Sequence, residues 1–374
     1  MTEHVLVTGG AGFVGSHLVD ALLAAGHRVR VLDSLETQVH GAGGRAPDYL
    51  NPGAELAQGS VTDAAAVARA LDGIDVVFHQ AALVGVGQSM YDIARYCQVD
   101  TGGAGVVLEE IVKRRDRIRK VVVASSMSVY GEGAYRTPRG EMRAPRLRGR
   151  EPLQRGEWEA RDPDTGEPLE PIHTPETKPL QPTSVYAITK RDHEELFLSV
   201  GYAYRIPTVA LRYFNIYGDR QALSNPYTGV AAIFCARVLN GQPPIIFEDG
   251  RQSRDFVHVS DIVQANLLAL ATDVADYRAL NVGTGQPTTI RQVADAILAA
   301  LGVRDLAPTV LGKFREGDIR HCYADIGLAC RLLGYKPTVA FTQGTNRLVE
   351  WVRSQRAVDR FEHAHQQLVT RGLA

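Results

Sequence analysis

This sequence predicts an α/β fold. It should be a doubly wound parallel sheet, followed by a smaller C-terminal α/β domain and interrupted by a long proline- and arginine-rich insertion. Three observations predict it. Short apolar runs alternate with helix-patterned stretches through the first half. Glycines cluster at the first strand-to-helix junction, in Thr8-Gly9-Gly10-Ala11-Gly12-Phe13-Val14-Gly15. One segment, Gly131 to Pro182, loses all apolar periodicity.

Val5 to Thr8, Arg28 to Asp33, Asp75 to His79 and Lys120 to Ser125 read as strands. Each is brief, valine-rich and nearly continuous in apolar residues, the pattern of a strand covered on both faces. Helical patterns lie between them, from Val14 to Ala25, Asp63 to Leu71 and Met90 to Arg115. Strand, helix, strand at this spacing implies right-handed crossovers and a parallel sheet. Thr208 to Phe214 should add a strand after the helix that carries Tyr186. Gly131 to Pro182 holds half of the eighteen prolines and a scatter of arginines. It reads as a surface insertion with little regular structure. Either it is a solvated loop, or it is a lid or subunit contact anchored by Trp158, a side chain costly to leave exposed.

Beyond Asn215 the elements shorten. Pro243 and Pro244 precede a strand-like Ile245-Ile246-Phe247. Ser260 is expected to cap a helix running to Ala271, and Thr289 one from Ile290 to Leu301. The expected division is 1–214 for a dinucleotide-binding domain, with insertion 131–182 and a catalytic helix from 183. Residues 215–374 would form mainly the substrate-binding domain, with some segments returning to the first sheet.

The net charge of −1 gives no bulk attraction to nucleic acid or an anionic membrane. No apolar run approaches the roughly 20 residues that span a bilayer. The first strand begins at His4, so no signal or transit peptide is expected ahead of it. Cys97, Cys235, Cys322 and Cys330 form no CxxC pair. Reduced thiols and a cytoplasmic location are the expectation. His17, His79, His193, His258 and His321 share no ligand spacing, so no metal site is expected. His79, at the end of a buried strand, reads as a core residue.

Gly9, Gly12 and Gly15 follow a strand and open a helix, the context that turns this spacing into a dinucleotide signature. The first glycine permits the tight turn, the second lets backbone approach a pyrophosphate, and the third lets helix and strand pack closely. The diphosphate would face free N–H groups and the positive end of the helix dipole. Asp33 ends the next strand, where a carboxylate accepts from a ribose 2′-hydroxyl; its alternative is a turn residue. Ser34 and Leu35 follow, with no arginine for a 2′-phosphate. The sheet is therefore expected to be Rossmann-type and the cofactor NAD.

Tyr186 and Lys190 stand four apart in Tyr186-Ala187-Ile188-Thr189-Lys190 and share a helix face. A free phenol has a pKa of about 10 and must drop about three units, roughly 4 kcal/mol, to act as a base near neutrality. A cation at 4–5 Å and an effective dielectric of 20 supplies about 3–4 kcal/mol. Lys190 and a positive nicotinamide together would suffice. Ser125-Ser126-Met127-Ser128-Val129-Tyr130-Gly131 follows another strand, at the sheet edge where such folds bind ligands. A serine hydroxyl there can bridge the tyrosine and a substrate alcohol.

TGGAGFVGS, SSMSVYG, YAITK, LRYFNIYG and RDFVHVSDI occur in that order. As a set they resemble the extended short-chain dehydrogenase/reductases, and more narrowly the NAD-dependent nucleotide-sugar epimerases and dehydratases. The likeness covers nearly the whole chain apart from the insertion. It implies that Ser126 is the catalytic hydroxyl residue, Tyr186 the base, and Lys190 the residue holding the nicotinamide ribose. It implies further cofactor contacts from Phe13 and Val14 in the turn, from Ser60 and Val61, and from Ala81 and Ala82. Ser128 and Asn215 are implied near the sugar diphosphate, Arg254 and Arg315 on the diphosphate, and Asp318 near the substrate's ribose.

Arginine's fork of permanently charged donors suits a diphosphate. The alternatives are a salt bridge from Arg254 to Asp255 or Asp261, and a surface pair from Arg315 to Glu316 or Asp318. Three departures matter. Many relatives carry an aspartate near the adenine where this chain has Ser60. Related dehydratases place Asp-Glu after the catalytic hydroxyl residue, where this chain has Met127 and Ser128, and neither supplies the acid and base that eliminate water. Similar epimerases of 6-deoxysugar nucleotides bear cysteines in the insertion, where Asp162-Pro163-Asp164 stands here.

The expected activity is that of a nucleotide-diphosphate-sugar epimerase acting at C4 through a transient 4-keto sugar. The expected substrate is a dTDP-6-deoxyhexose, closest in kind to that of the rhamnose-type epimerases. The alternatives are a 4,6-dehydratase or decarboxylase using the same transient oxidation, and a non-catalytic NAD-binding sensor. The family resemblance also implies a homodimer through a helix bundle.

Overall fold

The computed structural model describes residues 2–41 and 43–373. Seven parallel strands form the central sheet: β1 (His4–Thr8), β2 (Arg28–Asp33), β3 (Glu55–Gln58), β4 (Val76–His79), β5 (Lys120–Ser126), β6 (Thr208–Tyr213) and β7 (Arg278–Val282). Their order across the sheet is β7-β6-β5-β4-β1-β2-β3. The order reverses at β1, so the carboxyl ends of β1 and β4 flank a crevice. Registers are in phase through the centre: Val5 lies beside Val29 on one side and Val76 on the other, and Val121 pairs with Thr208.

Successive side chains in these strands go to opposite faces, and both faces are dry. Val5, Val7, Val122, Val209 and Leu211 pack with Leu18 and Leu22 of the first helix and Ile262 and Ala265 of a later one. Leu6, Val77, Val121 and Val123 pack on the other side with Val67, Val107, Ile111 and Phe197. This two-sided burial is why the strands read as continuous apolar runs rather than alternating ones.

Two strands of the sheet, β3 and β7, are absent from the sequence reading. Each lies at an edge of the sheet. β3 is Glu-Leu-Ala-Gln, with none of its four residues buried. β7 begins Arg278-Ala279 and is buried only from Leu280. Neither presents the unbroken apolar run that marks the inner strands.

The Met90-to-Arg115 stretch is not one regular helix. It comprises Ile93–Tyr96, a π-helical turn Cys97–Gly102 and then Gly103–Val112. A π turn adds one residue to the helical repeat and is a recurrent device at functional sites. Here it directs Asp100 inward. Ser260 is not the cap of its helix either. The helix runs Val259–Ala271, and His258 is the cap, its ring nitrogen accepting from the Ser260 N–H. Thr289 does cap Ile290–Leu301, with Gln292 completing a capping box.

The insertion has more regular structure than its composition suggests. Ala134–Arg136 pairs antiparallel with Met142–Arg143 and with Glu170–Ile172, and Arg150–Gln154 is a short helix. Trp158 is only half-buried. The anchors are polar instead: Glu132 accepts from the backbone N–H groups of Arg320 and His321, and Thr174 pairs with the 323–325 backbone. A third apolar cluster, including Tyr217, Phe234, Ile246, Phe256, Ile297 and Leu348, lies in the C-terminal part.

Candidate active site

The glycine turn lies between β1 and a helix spanning Phe13–Ala24. Gly9 donates to the Leu32 carbonyl at 2.8 Å, tying the turn to β2. Gly9 has φ +69°, and a Cβ there would sit 2.8 Å from the Ala81 backbone; one on Gly15 would sit 2.1 Å from the Gly9 carbonyl. Both positions exclude any side chain. At Gly12 the added atom would meet only a 3.3 Å contact, and no side chain caps the helix there. The unfilled helix N-terminus therefore leaves backbone N–H groups free for an anion.

Asp33 closes on this turn from the end of β2. Its carboxylate accepts from the Ala11 N–H at 3.0 Å and the Leu35 N–H at 2.9 Å. Ser60, beyond β3, shares a 2.8 Å hydrogen bond with Thr62, and the Gly59 N–H reaches the Asp33 carbonyl. Val61 is buried against Gly103. Ala81 and Ala82 leave β4 half-buried beside Gly9, and the Thr8 hydroxyl accepts from the Ala81 N–H. Phe13 and Val14 open the helix, also half-buried. The glycine cradle, uncapped helix and ribose-side carboxylate fit a dinucleotide.

Ser126 ends β5 and starts a tight turn through Met127–Tyr130. Its hydroxyl oxygen accepts from the Ser128 hydroxyl at 2.9 Å and the Ser128 N–H at 3.2 Å. The Tyr186 helix, Val185–Tyr204, is capped by Ser184 and packs along β5. The Tyr186 N–H donates to the Ser89 hydroxyl. Lys190 is buried and its ammonium donates to the Ala124 carbonyl at 2.9 Å. Ser126, Tyr186 and Lys190 thus meet at the carboxyl edge of β5.

The electrostatics differ from the sequence argument. Tyr186 retains some exposed surface but lies deep in the protein; burial raises its phenol to about 12, Ser126 lowers it in part, and Asp100 raises it further. Burial lowers Lys190 to about 8, opposed by the charge of Asp100. Asp100 itself is pushed up to about 6 by burial, while Lys190, the Leu83 N–H and the Thr189 hydroxyl hold it down. It accepts from Leu83 at 2.8 Å and Thr189 at 2.9 Å. Sequence reading missed Asp100. Its one signal is an acidic residue in an otherwise uncharged stretch, Cys97 to Ala104.

Behind Lys190 the rings of His79, His193 and Phe197 pack together. Burial, and secondarily Lys190, drives His79 down to about 3. His79 shares a hydrogen bond with Thr8 at 2.9 Å. No group of three or more His, Cys, Asp or Glu among the described residues is placed to hold a metal. Asp162 instead organises a turn, accepting from the Asp164 and Thr165 N–H groups and from Arg143.

Of the residues implied for substrate, Ser128 lies beside Ser126 and Asn215 follows the central sheet, while Arg254, Arg315 and Asp318 lie in the C-terminal part. Asn215 follows β6, and its side-chain oxygen is buried with no hydrogen-bond partner among the described residues. Arg254 pairs with neither Asp255 nor Asp261. Its guanidinium donates to the carbonyls of Ser253, Ile319 and Arg320. Asp255 is taken by Thr284, Gly285 and Ala324, and Asp261 by Thr338 and Val339. Arg315 does pair with Asp318, at 2.8 Å, and stacks 4.6 Å from the Phe247 ring. Arg254 thus reaches the end of the loop that carries Arg315 and Asp318.

Comparison with known proteins agrees with this geometry. The model of the NAD dependent epimerase/dehydratase family matches residues 5–152 and 163–283. The chain is 34% identical to a dTDP-L-rhamnose 4-epimerase of Burkholderia thailandensis, over 94% of this chain and 96% of that protein. A UDP-glucose 4-epimerase of Thermotoga maritima, solved with UDP-glucose, superposes with a TM-score of 0.76 at 32% identity, covering 94% of this chain and 98% of that one. One of Thermus thermophilus, solved with NAD, gives 0.74 at 32% identity, covering 94% and 100%. No helix among the described residues is long and apolar enough to cross a membrane. A glycine cradle, a tyrosine and a lysine four residues apart on one helix at the sheet edge, and similarity along nearly the whole length lead to one assignment: the chain belongs to the NAD-dependent epimerase/dehydratase family.

Proposed function

We propose that this protein is a nucleotide-diphosphate-sugar 4-epimerase. The observation that carries the proposal is the meeting of Ser126, Tyr186 and Lys190 at the sheet edge that also holds the glycine turn. When bound, NAD would supply a hydride acceptor and donor for the sugar carbon and, in its oxidised form, a positive charge. Tyr186 takes the proton from the sugar's 4-hydroxyl and later returns it, with the Ser126 hydroxyl bridging the two oxygens. A phenol starting from about 12 must fall about five units, roughly 7 kcal/mol, to act near neutrality. A positive charge brought to 4–5 Å from the phenol would provide about 3–4 kcal/mol, about half of that fall.

Arg254 and Arg315 would hold the diphosphate as forked donors, Asp318 the ribose, and Asn215 the sugar-diphosphate side. Arg315 would exchange its present partner, Asp318, for phosphate oxygens. A clamped nucleotide with a free sugar allows either face of C4 to be presented without release, which keeps both half-reactions in one complex. We also propose the division into residues 1–214 and 215–374, with Val259–Ala271 and Arg278–Val282 of the second part returning to the first sheet. A dTDP-6-deoxyhexose is the substrate class proposed, supported by the Burkholderia relative. A homodimer is proposed as well, with the Tyr186 helix at its interface; Ile188 is exposed on that helix.

The test is incubation with a panel of UDP-, dTDP- and GDP-sugars, with products resolved by NMR and mass. An isobaric 4-epimer is expected. Loss of water or carbon dioxide would replace this reading with a lyase, and no conversion of any sugar would contradict it.

A further inference from the structure

We propose that the insertion is a brace for the nucleotide-binding wall, and that Arg148 is its positioning residue. The inference rests on the proposed role of Arg315, Asp318 and Arg254. Arg148 is a buried cation of the insertion. Its fork grips Glu248 through both oxygens, at 2.8 and 3.1 Å, and the same guanidinium donates to the Asp318 carbonyl at 3.0 Å. It also donates to the Trp158 carbonyl, tying the two limbs of the insertion to each other. One side chain thus connects the insertion to the two segments that carry Phe247 and Arg315–Asp318.

Glu248 shows that this connection holds a shape. It is buried and has φ +54°, a conformation that L side chains rarely adopt. Such a residue persists only where its surroundings over-determine it. Those surroundings are Arg148 and the fully buried Arg320, which donates to Glu248 at 2.9 Å and also to Asp249 and to Glu159 of the insertion. The Glu248 N–H donates to the Lys313 carbonyl and its own carbonyl accepts from Gly312, fixing the start of the 312–318 loop. Phe247, the preceding residue, carries the stacked Arg315. Arg254 holds the Ile319 and Arg320 carbonyls at the other end of that loop. Arg254, Arg315 and Asp318 all hang from this frame, and the insertion closes it. Arg148 touches neither the sugar carbon nor the glycine turn, so its loss should move nucleotide affinity and leave cofactor affinity alone.

The experiment compares wild type with Arg148→Ala, Arg148→Lys and Arg155→Ala as NAD-loaded proteins. UDP, dTDP and GDP are titrated by calorimetry, and NAD content and thermal midpoint are measured in parallel. Arg155 is an exposed insertion residue paired with its neighbour Glu157, and serves as the control. Arg148→Ala should weaken the Kd of whichever nucleotide wild type binds by about tenfold or more, the scale of losing charge-assisted bonds. NAD content should stay at the wild-type level. Arg148→Lys, a charge without a fork, should fall between, and Arg155→Ala should match wild type. Unchanged nucleotide affinity in Arg148→Ala would overturn the brace. So would a parallel loss of NAD and nucleotide in Arg148→Lys, which decides the matter if the alanine variant does not fold. Wild type that binds none of UDP, dTDP and GDP would instead overturn the function proposed above.

Discussion

Lys190 and Asp100 feel each other's charge close to Tyr186, the proposed base, and each is displaced from its ordinary protonation range by burial. Asp100 has a folded-state value of about 6 against 3.8 when free, so the folded protein holds the extra proton between those values. Stability should therefore fall as pH rises from about 4 to about 6. Asp100→Asn should flatten that part of a melting-temperature profile; a slope unchanged in the variant would place its origin elsewhere. Lys190→Met should lower turnover by about two to three orders of magnitude, the worth of one cation near the phenol. A loss under tenfold would show that Lys190 gives Tyr186 little help. The tyrosine–lysine spacing, Ser126 and the three glycines are legible directly because each is local in sequence. Asp100 is not, since its meeting with Leu83 and Thr189 depends on the π turn and on helix packing.

Among the elements, the inner strands are legible because burial on both faces writes itself as an unbroken apolar run; β4 and nearly all of β5 are buried. The edge strands β3 and β7 have no such run. The π turn escapes for a related reason: periodicity counts apolar positions, and one extra residue shifts the count without removing it. The His258 cap lies two residues before the serine that composition favours, since an imidazole nitrogen can accept as a serine oxygen does. The glycine turn offers the sharpest test at this scale. Gly15→Ala puts a methyl 2.1 Å from the Gly9 carbonyl. It should cost about 1–3 kcal/mol of stability and deplete bound NAD in purified protein. Full NAD occupancy in that variant would contradict the cofactor cradle.

Over the whole molecule, the proposed site draws on two regions: the sheet edge with Ser126, Tyr186 and Lys190, and the 312–318 loop of the C-terminal part with Arg315 and Asp318. The insertion reads as irregular because its prolines and arginines obey no period. Beyond its own short antiparallel pairing, it is held by contacts 100 and more residues away in sequence, such as Arg148 with Glu248 and Glu159 with Arg320. No local signal encodes such pairs. Substrate identity lies at this scale too, for it depends on both regions at once.

The most direct test of the account is the turnover of Tyr186→Phe on a nucleotide sugar that wild type epimerises, with bound NAD and nucleotide affinity measured on the same samples. The account predicts wild-type NAD content and affinity with turnover reduced by about 10²- to 10⁴-fold, the contribution of a positioned general base. Turnover equal to that of wild type would contradict it.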